Sequence, residues 1–575
     1  MKLSGAQIIM ECLVREGTEI IFGLPGGANL PLYDCLPSYP QIKHVLVRHE
    51  QCAAHAADAY ARVTGKVGVC FATSGPGATN LVTGIANASM DSVPIVAITG
   101  QVATWLIGCD GFQEADITGI TLPITKHNYL VLDADELAHT VREAFYIAGT
   151  GRPGPVLIDV PRDVMQQQTE FHYPQKVEPR GYRPTIQGHP AQVKKAAQLI
   201  GESERPVILA GHGVILSRAF DELRALAEKA HIPVIATLLG LGCFPGSHPL
   251  FMGMPGMHGM YWNNIAITEA DLIVAVGMRF DDRITGRLKD FAPHARIIHI
   301  DIDPAEIGKN VKATVPIVGD VKNVLASLVQ QVEPARHDAW LERIEQVRRE
   351  HPSILIPEND QLLPQFVIKK IYELSGPDAY YVTGVGQHQM WAAQFFWGDK
   401  PNSFVTSGGL GTMGFDTPAA IGVQFAFPKD LVWSIAGDGS FQMTLQDLAT
   451  VVEHELPIKF AIINNGYLGM VRQWQTMFYD NRLISTREFS PDFVKLAEAF
   501  GLVGLRVTDR AQVEPAIEKA LQHPGPVLID FQVEPMENCY PMVPPGASLA
   551  ETMDQPKMIE APAPSPRREK EKVRP

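Results

Sequence analysis

No run of apolar residues in this chain approaches the ~18–20 that a membrane-spanning helix needs. Segments such as VPIVAITG stop within a few residues at Gly or a polar side chain. There is no basic excess either: 49 Lys and Arg against 63 Asp and Glu leave a formal net charge of −14. Binding to duplexes driven by counterion release finds no support in such a composition, and nucleic acid and membrane are both set aside as partners. Cysteine is scarce. The 7 thiols (Cys12, Cys35, Cys52, Cys70, Cys109, Cys243, Cys539) are odd in number, widely spaced and without a CxxC pair, so reduced core thiols are expected. The start, MKLSGAQIIMECLVREG, lacks a basic region ahead of a hydrophobic core. It reads as an amphipathic helix capped by Ser4, and we expect a cytoplasmic protein.

What the chain does contain is globular and large: 575 residues, 46% hydrophobic and 19% charged. At about 150 residues per domain this gives roughly three to four domains. Short β-branched runs alternate with longer helical patterns, the signature of parallel sheets with crossover helices. We therefore predict an α/β fold of three doubly wound parallel-sheet domains. Strand-like HVLVRH, VGVCFATSG, VPIVAITG and PVLIDVP fill a first block, 1–180, and the Pro-rich YPQKVEPRGYRPTIQGHP follows as a linker. A second block, 190–335, carries PVILAGHG, PVIATLLG, DLIVAVG, RIIHIDID and PIVGD, and stops before the charged helix WLERIEQVRREHP. A third, 362–545, carries YYVTGVG, LVWSIAGDG, KFAIINNG and PVLIDFQV. The heptapeptide PGPVLID occurs at 153–159 and again at 524–530, which suggests that the first and third blocks share a topology. Residues 546–575, rich in Pro, Ala and charge, are expected to be a disordered tail.

The sharpest chemical signal is Gly437-Asp438-Gly439-Ser440 after one strand and Asn464-Asn465 after the next, with Asp438 and Asn465 27 residues apart. That spacing holds one crossover helix, so both polar groups emerge at the same carboxyl edge of a parallel sheet. A carboxylate and an amide oxygen are hard ligands suited to Mg²⁺ bound with a diphosphate, and the glycines let backbone approach phosphate oxygens.

GDGS…INN resembles the signature of thiamine diphosphate (ThDP) enzymes. FGLPGG (Phe22 to Gly27), HEQ, TSGPGATN (Thr73 to Asn80), GFQE (Gly111 to Glu114), GQHQMW (Gly386 to Trp391), SGGLGTMG (Ser407 to Gly414) and MVRQW (Met470 to Trp474) are together similar to acetohydroxyacid (acetolactate) synthase catalytic subunits. The resemblance covers nearly all of 1–550. It implies a pyrimidine-binding, a central FAD-binding and a diphosphate-binding domain, in a homodimer or homotetramer that pairs Glu50 of one chain with the GDG…NN site of another. It allows for a regulatory small subunit. By resemblance, Glu50 meets the aminopyrimidine ring and promotes loss of the thiazolium proton. The Ala-rich run CAAHAADAYA after it suggests a dry setting that favours proton exchange near neutrality. Pro25, Gly26 and Asn80 join Glu50. Val385, Gly386, Gln387 and His388 approach the diphosphate with Gly437, Gly439 and Ser440; Gly411 and Met413 support the bent cofactor; and the Tyr467 carbonyl completes the Mg²⁺ set of Asp438 and Asn465.

In the middle block GMRFDDR follows one strand, DIDP ends a second and Gly319-Asp320 ends a third, as acids and Arg at a nucleotide-binding edge would. This order resembles the FAD site of the biosynthetic synthases, which implies FAD contacts from Arg152, Gly211, Gly213, Thr237, Leu238, Gly256, Met257, His258, Gly277, Arg279, Asp281, Arg283, Asp301, Ile302, Gly319 and Asp320. Phe112 and Gln113 lie in a loop the family brings across the dimer interface, Arg279 resembles the residue that pairs with the acceptor carboxylate, and Trp474 the indole that favours 2-oxobutyrate. The implied activity is decarboxylation of pyruvate and joining of the two-carbon unit to a second 2-oxoacid, pyruvate or 2-oxobutyrate, at the entry to branched-chain amino-acid synthesis. The rivals are another ThDP carboligase or pyruvate oxidase, an FAD-dependent oxidoreductase, and a weakened binding-only homologue. The last is suggested by two departures from the family pattern, Gly384 where Asp is usual and Asp416, which with Thr417 stands in place of Gly and an apolar residue; Arg162 for Lys is a further departure. His212, Leu24 and Pro255 are lesser departures.

Overall fold

The computed structural model describes residues 1–554. The chain forms three parallel α/β sheets with helices on their faces. The first contains, in chain order, Ile20–Gly23, Lys43–Leu46, Gly68–Ala72, Ile95–Gln101, His127–Leu130 and Val156–Pro161; the third contains Tyr380–Thr383, Phe404–Thr406, Val432–Gly437, Lys459–Asn464, Val503–Val507 and Val527–Gln532. Numbered within each sheet, both run in the spatial order 2-1-3-4-6-5, and all their pairings are parallel. The repeated PGPVLID is the sixth strand in each, placed inside its sheet between strands four and five, so the sequence repeat reflects one topology used twice. Between them lies a five-stranded sheet of Pro206–Ala210, Val234–Ala236, Leu272–Val276, Arg296–Asp301 and Val315–Val318.

Six strands escape the sequence reading, two of them, Lys2–Ser4 and Gln168–Glu170, as a separate antiparallel pair and four within the parallel sheets. His127–Leu130 and Val503–Val507 are edge strands with little burial contrast, and Phe404–Thr406 is a three-residue edge. Ile20–Gly23 is buried throughout but only four residues long. The helix Asp338–Glu350, which the sequence reading leaves in a boundary, packs Trp340, Ile344 and Val347 into the core of the central sheet. The start of the expected tail is also ordered: residues Leu549–Glu551 form a 3₁₀ turn capped by Ser548, and Thr552 accepts a hydrogen bond from buried Asn264 at 2.9 Å. The remainder of that tail lies outside the described residues. Ser4 does cap the first helix, Gly5–Arg15, in a reciprocal pair with Gln7. Five cysteines are buried, but Cys35 is only partly covered and Cys109 is exposed. No helix among the described residues is long and apolar enough to cross a membrane.

The first and third sheets share one hydrophobic core, in which Val45, Ala53 and Ala57 meet Val382, Ala419 and Phe460. At its centre the helix Glu50–Thr64 crosses the helix Asp416–Ala426. The crossing is close because alanines face a glycine: a Cβ on Gly422 would run into the Ala56 carbonyl. Beside this crossing sits a buried ion cluster. Arg62 donates to Asp58 at 2.5 Å and to Asp91 at 2.8 Å, with all three side chains at most 3% exposed. Burial opposes the Arg62 charge, but the two carboxylates outweigh it and hold its pKa above the usual value. Arg62 also donates to the Thr406 carbonyl, and Asp91 accepts from the amides of Gly408 and Gly409, so the cluster grips the loop that leads to Met413.

Removing one member of a buried ion pair leaves the others charged and dry, at a cost of about 3–5 kcal/mol. Arg62→Met is therefore expected to lower the chemical-denaturation midpoint markedly. A midpoint equal to that of the parent would show that Asp58 and Asp91 do not depend on it.

Candidate active site

A cavity of about 990 Å³ runs from the carboxyl edge of the central sheet to that of the third. This is where open parallel sheets present ligands, because successive crossover connections leave a crevice beyond the strand ends. The turns that line it follow their strands directly: Gly213, Thr237 and Leu238, Gly277 and Arg279, Asp301 and Ile302, and Asp320 from the central sheet, and Val385 to His388, Gly437 to Ser440, Asn465 and Tyr467 from the third. Gly411 and Met413 line it between the two.

In the third-sheet half, the Asp438 carboxylate is buried, and burial raises its pKa, an effect that a bound cation would reverse. Its Oδ2 accepts from Ser490 Oγ at 2.7 Å, and Asn465 Oδ1 accepts from the Tyr467 amide at 3.0 Å. Gln387 links this pair to the helix Gly469–Phe478, accepting from Asn465 Nδ2 at 3.4 Å and donating to Gln473 at 2.7 Å. Among the described residues no three His, Cys, Asp or Glu side chains converge as a metal cage. One carboxylate and one amide oxygen fit instead a hard cation whose shell is completed by water and phosphate oxygens. Burial pushes His388 down to about 3, so the ring is neutral, and its Nε2 is buried without a partner.

In the central half, Arg152 lies on the cavity wall but is paired with Asp303 at 3.1 Å and Glu306 at 2.7 Å. Asp281 accepts from the amides of Arg283 and Ile284 and so caps the turn Asp282–Thr285, while Asp320 caps the helix Val321–Gln331. Burial raises Asp301 to about 6. His258 is buried and lowered to about 4, with Nδ1 at 3.0 Å from the Pro541 carbonyl and Nε2 unpaired. Gly211, Gly256 and Gly319 lie just behind the lining and act through backbone hydrogen bonds, to Val276, Asn264 and Asp301 respectively. Where the two halves meet, Arg279, Arg283, Met470, Val471 and Trp474 line the wall, and the Arg283 guanidinium carbon stands 5.7 Å from the Trp474 ring centre.

A second group of expected residues lies outside this cavity. Glu50 is buried at the start of its helix, and its Oε2 accepts from Asn80 Nδ2 at 2.9 Å. Pro25 and Gly26 lie in the turn after the strand Ile20–Gly23, near Thr73 on the same edge of the first sheet. Gln113 has a left-handed φ of 61° and approaches Gly75, and the Phe112 side chain before it is 89% exposed. The sequence reading missed Glu306, Asn310 and Leu410 on the wall, and Ser490 and Glu488 beside Asp438. Glu306 and Asn310 closely follow the strand end at Asp301, a position that could have marked them. Ser490 and Glu488 arrive from a segment with no local signal.

Three family descriptions match the chain: the thiamine pyrophosphate enzyme N-terminal TPP binding domain over residues 3–120, its central domain over 193–328 and its C-terminal TPP binding domain over 384–531. The chain is 52% identical over 560 residues to "Acetolactate synthase" of Mycobacterium bovis, covering 95% of this chain and 91% of that one. It is 51% identical to "Acetolactate synthase large subunit" of Corynebacterium glutamicum, covering 95% and 89%. It is 50% identical to "Probable acetolactate synthase large subunit" of Methanocaldococcus jannaschii, covering 95% and 94%. With three matched domains in the order of the three sheets and half of all positions shared over nearly the full length, the chain belongs to the thiamine pyrophosphate enzyme family, in its acetolactate synthase branch.

Proposed function

We propose that this chain, with ThDP and Mg²⁺, decarboxylates pyruvate and joins the two-carbon unit to a second 2-oxoacid, pyruvate or 2-oxobutyrate. The products are 2-acetolactate and 2-aceto-2-hydroxybutyrate, which makes it a transferase of EC 2.2.1.6 that acts at the first common step of branched-chain amino-acid synthesis. The observation that carries this reading is the pairing of Asp438 and Asn465 at adjacent strand ends in one cavity, in a chain of this family. ThDP supplies, when bound, the carbon nucleophile that pyruvate alone lacks. Asp438, Asn465 and the Tyr467 carbonyl would hold Mg²⁺, and the Gly386 to His388 turn would hold the diphosphate with neutral His388 adding no charge. The central half would hold FAD, which carries no net redox step in this reading.

Glu50 would exchange a proton at Oε1, since Oε2 already accepts from Asn80. It lies outside the cavity of its own chain, and Trp105 and Phe112, in the segment that carries Gln113, are 71% and 89% exposed. A second copy of the chain would bring Glu50 and Gln113 to this cavity, so the working unit is a homodimer or a homotetramer built from it, with a regulatory small subunit as a further partner and the cytoplasm as its place. Arg279, a fork of donors on the same cavity wall as Trp474, would orient the 2-oxoacid carboxylate. The test is product analysis with pyruvate, omitting ThDP, Mg²⁺ and FAD one at a time. Acetolactate that forms only with ThDP and Mg²⁺ is expected, and product dependent on an added electron acceptor would favour an oxidase instead.

Glu50→Gln should keep ThDP binding and lose turnover by more than about a hundredfold, because the amide cannot relay the proton. A rate within about tenfold of the parent, roughly 1.4 kcal/mol of barrier, would remove Glu50 from that role. Asp438→Ala should abolish Mg²⁺-dependent ThDP retention, measured by calorimetry, while flavin absorbance is unchanged; simultaneous loss of both in a folded protein would contradict separate sites. Trp474→Leu should reduce preference for 2-oxobutyrate over pyruvate by about tenfold, since one methylene against an indole wall is worth about 1–3 kcal/mol. The measurement is direct competition of the two acceptors, and an unchanged product ratio in an active variant would make Trp474 a packing residue only.

A further inference from the structure

Gly384 and Asp416, distant in the sequence, face each other in the fold. A Cβ built on Gly384 would lie 2.5 Å from Asp416 Oδ2 and 3.0 Å from His388 Nε2, and closer still to Ser440 Oγ. Three polar atoms thus converge on the space above one glycine, and that space is taken by the carboxylate from position 416.

Asp416 is completely buried at the start of its helix. Its Oδ1 accepts from the Thr417 amide at 2.9 Å and the Thr417 hydroxyl at 3.1 Å, and its Oδ2 accepts from Ser440 Oγ at 2.7 Å. Thr417 therefore supplies part of the compensation that a buried carboxyl requires. Ser440 passes the contact on, since its Oγ accepts from the Gly414 amide at 2.9 Å, and Thr444 Oγ1 donates to the Gly414 carbonyl at 2.9 Å. Gly414 is next to Met413, and Ser440 is two residues from Asp438. The chain Asp416–Ser440–Gly414 accordingly spans the two segments between which a bent cofactor would be held.

We propose that Asp416 is a positioning residue. Its carboxyl group, together with Ser440 Oγ, occupies the room of a side chain at position 384 and obliges that position to be glycine, and through Ser440 it sets the spacing between the Met413 loop and the Asp438 turn. The orphaned Nε2 of His388 is the remaining polar atom around that space, so a carboxyl group could serve the same set from either side. The proposal rests on the ThDP reading of this cavity.

The test is a two-by-two exchange on the full-length chain: G384D, D416G and G384D/D416G, with D416N as a size-preserving control. The readouts are the Kd of Mg²⁺·ThDP by calorimetry, kcat and the unfolding midpoint of the cofactor-free protein, with retained FAD as a check on folding. D416G removes the acceptor for Ser440 and G384D forces two carboxyls into one buried space, so each single change is expected to weaken Mg²⁺·ThDP about tenfold or more. The double variant returns one carboxyl to the space from the opposite side and is expected within about threefold of the parent. Losses that simply add in the double variant overturn the proposal, as does a D416G protein with a lowered midpoint and an unchanged Kd. If D416G does not fold, D416N decides: a weaker Kd at an unchanged midpoint supports the role, and an unchanged Kd overturns it. Failure of the parent itself to bind Mg²⁺·ThDP would instead refute the cofactor reading.

Discussion

The buried guanidinium of Arg62 is the constraint on which the rest of the arrangement depends. A charge with so little exposure persists only when it is paired and hydrogen-bonded, and here Asp58, Asp91 and the Thr406 carbonyl saturate it. Asn87 extends the set by donating to Asp58 while accepting from Ser407 and Thr412. Every one of these bonds beyond the first block lands on the loop 406–412. The first domain thus fixes the backbone that carries Gly411 and Met413 of the third, and the site cannot be assembled from the third domain alone.

That clamp explains why the two outer domains share a core. With the helices Glu50–Thr64 and Asp416–Ala426 locked at the distance that alanine and glycine permit, Glu50 is held at one end of a rigid rod and Arg62 lies near the other, about three turns away at 3.6 residues per turn. The rod presents Glu50 on a face outside its own cavity. Trp105 and Phe112, in the segment that also carries Gln113, are left largely exposed.

Electrostatically the cavity relies on burial to silence its histidines. His388 is lowered to about 3, and His212 and His258 to about 4, by desolvation. Positive charge on the walls comes from Arg152 and Lys309, both tied to Glu306, from Arg279, and from Arg283, which stands beside Trp474. With the histidines neutral, the polar groups that the third-sheet half of the cavity presents include Gln387, Asn465 and the carboxyl of Asp438.

Local pattern alone determined the parallel α/β class, the repeated topology announced by PGPVLID, and the strand-end position of Asp438 and Asn465, because alternation period and crossover length are properties of neighbouring residues. Edge strands such as His127–Leu130 escaped because exposure on an edge erases the apolar contrast. Only the tertiary structure decided which strand ends share a cavity and which lie outside it, since that depends on packing between segments hundreds of residues apart. It also decided what Asp416 is. In the sequence it is a charge where none belongs. In the fold it is a carboxyl group satisfied by Thr417 and Ser440, in a space left open by the absence of a side chain at position 384. Periodicity cannot reveal this, because the partners of a buried polar group are set by geometry in three dimensions.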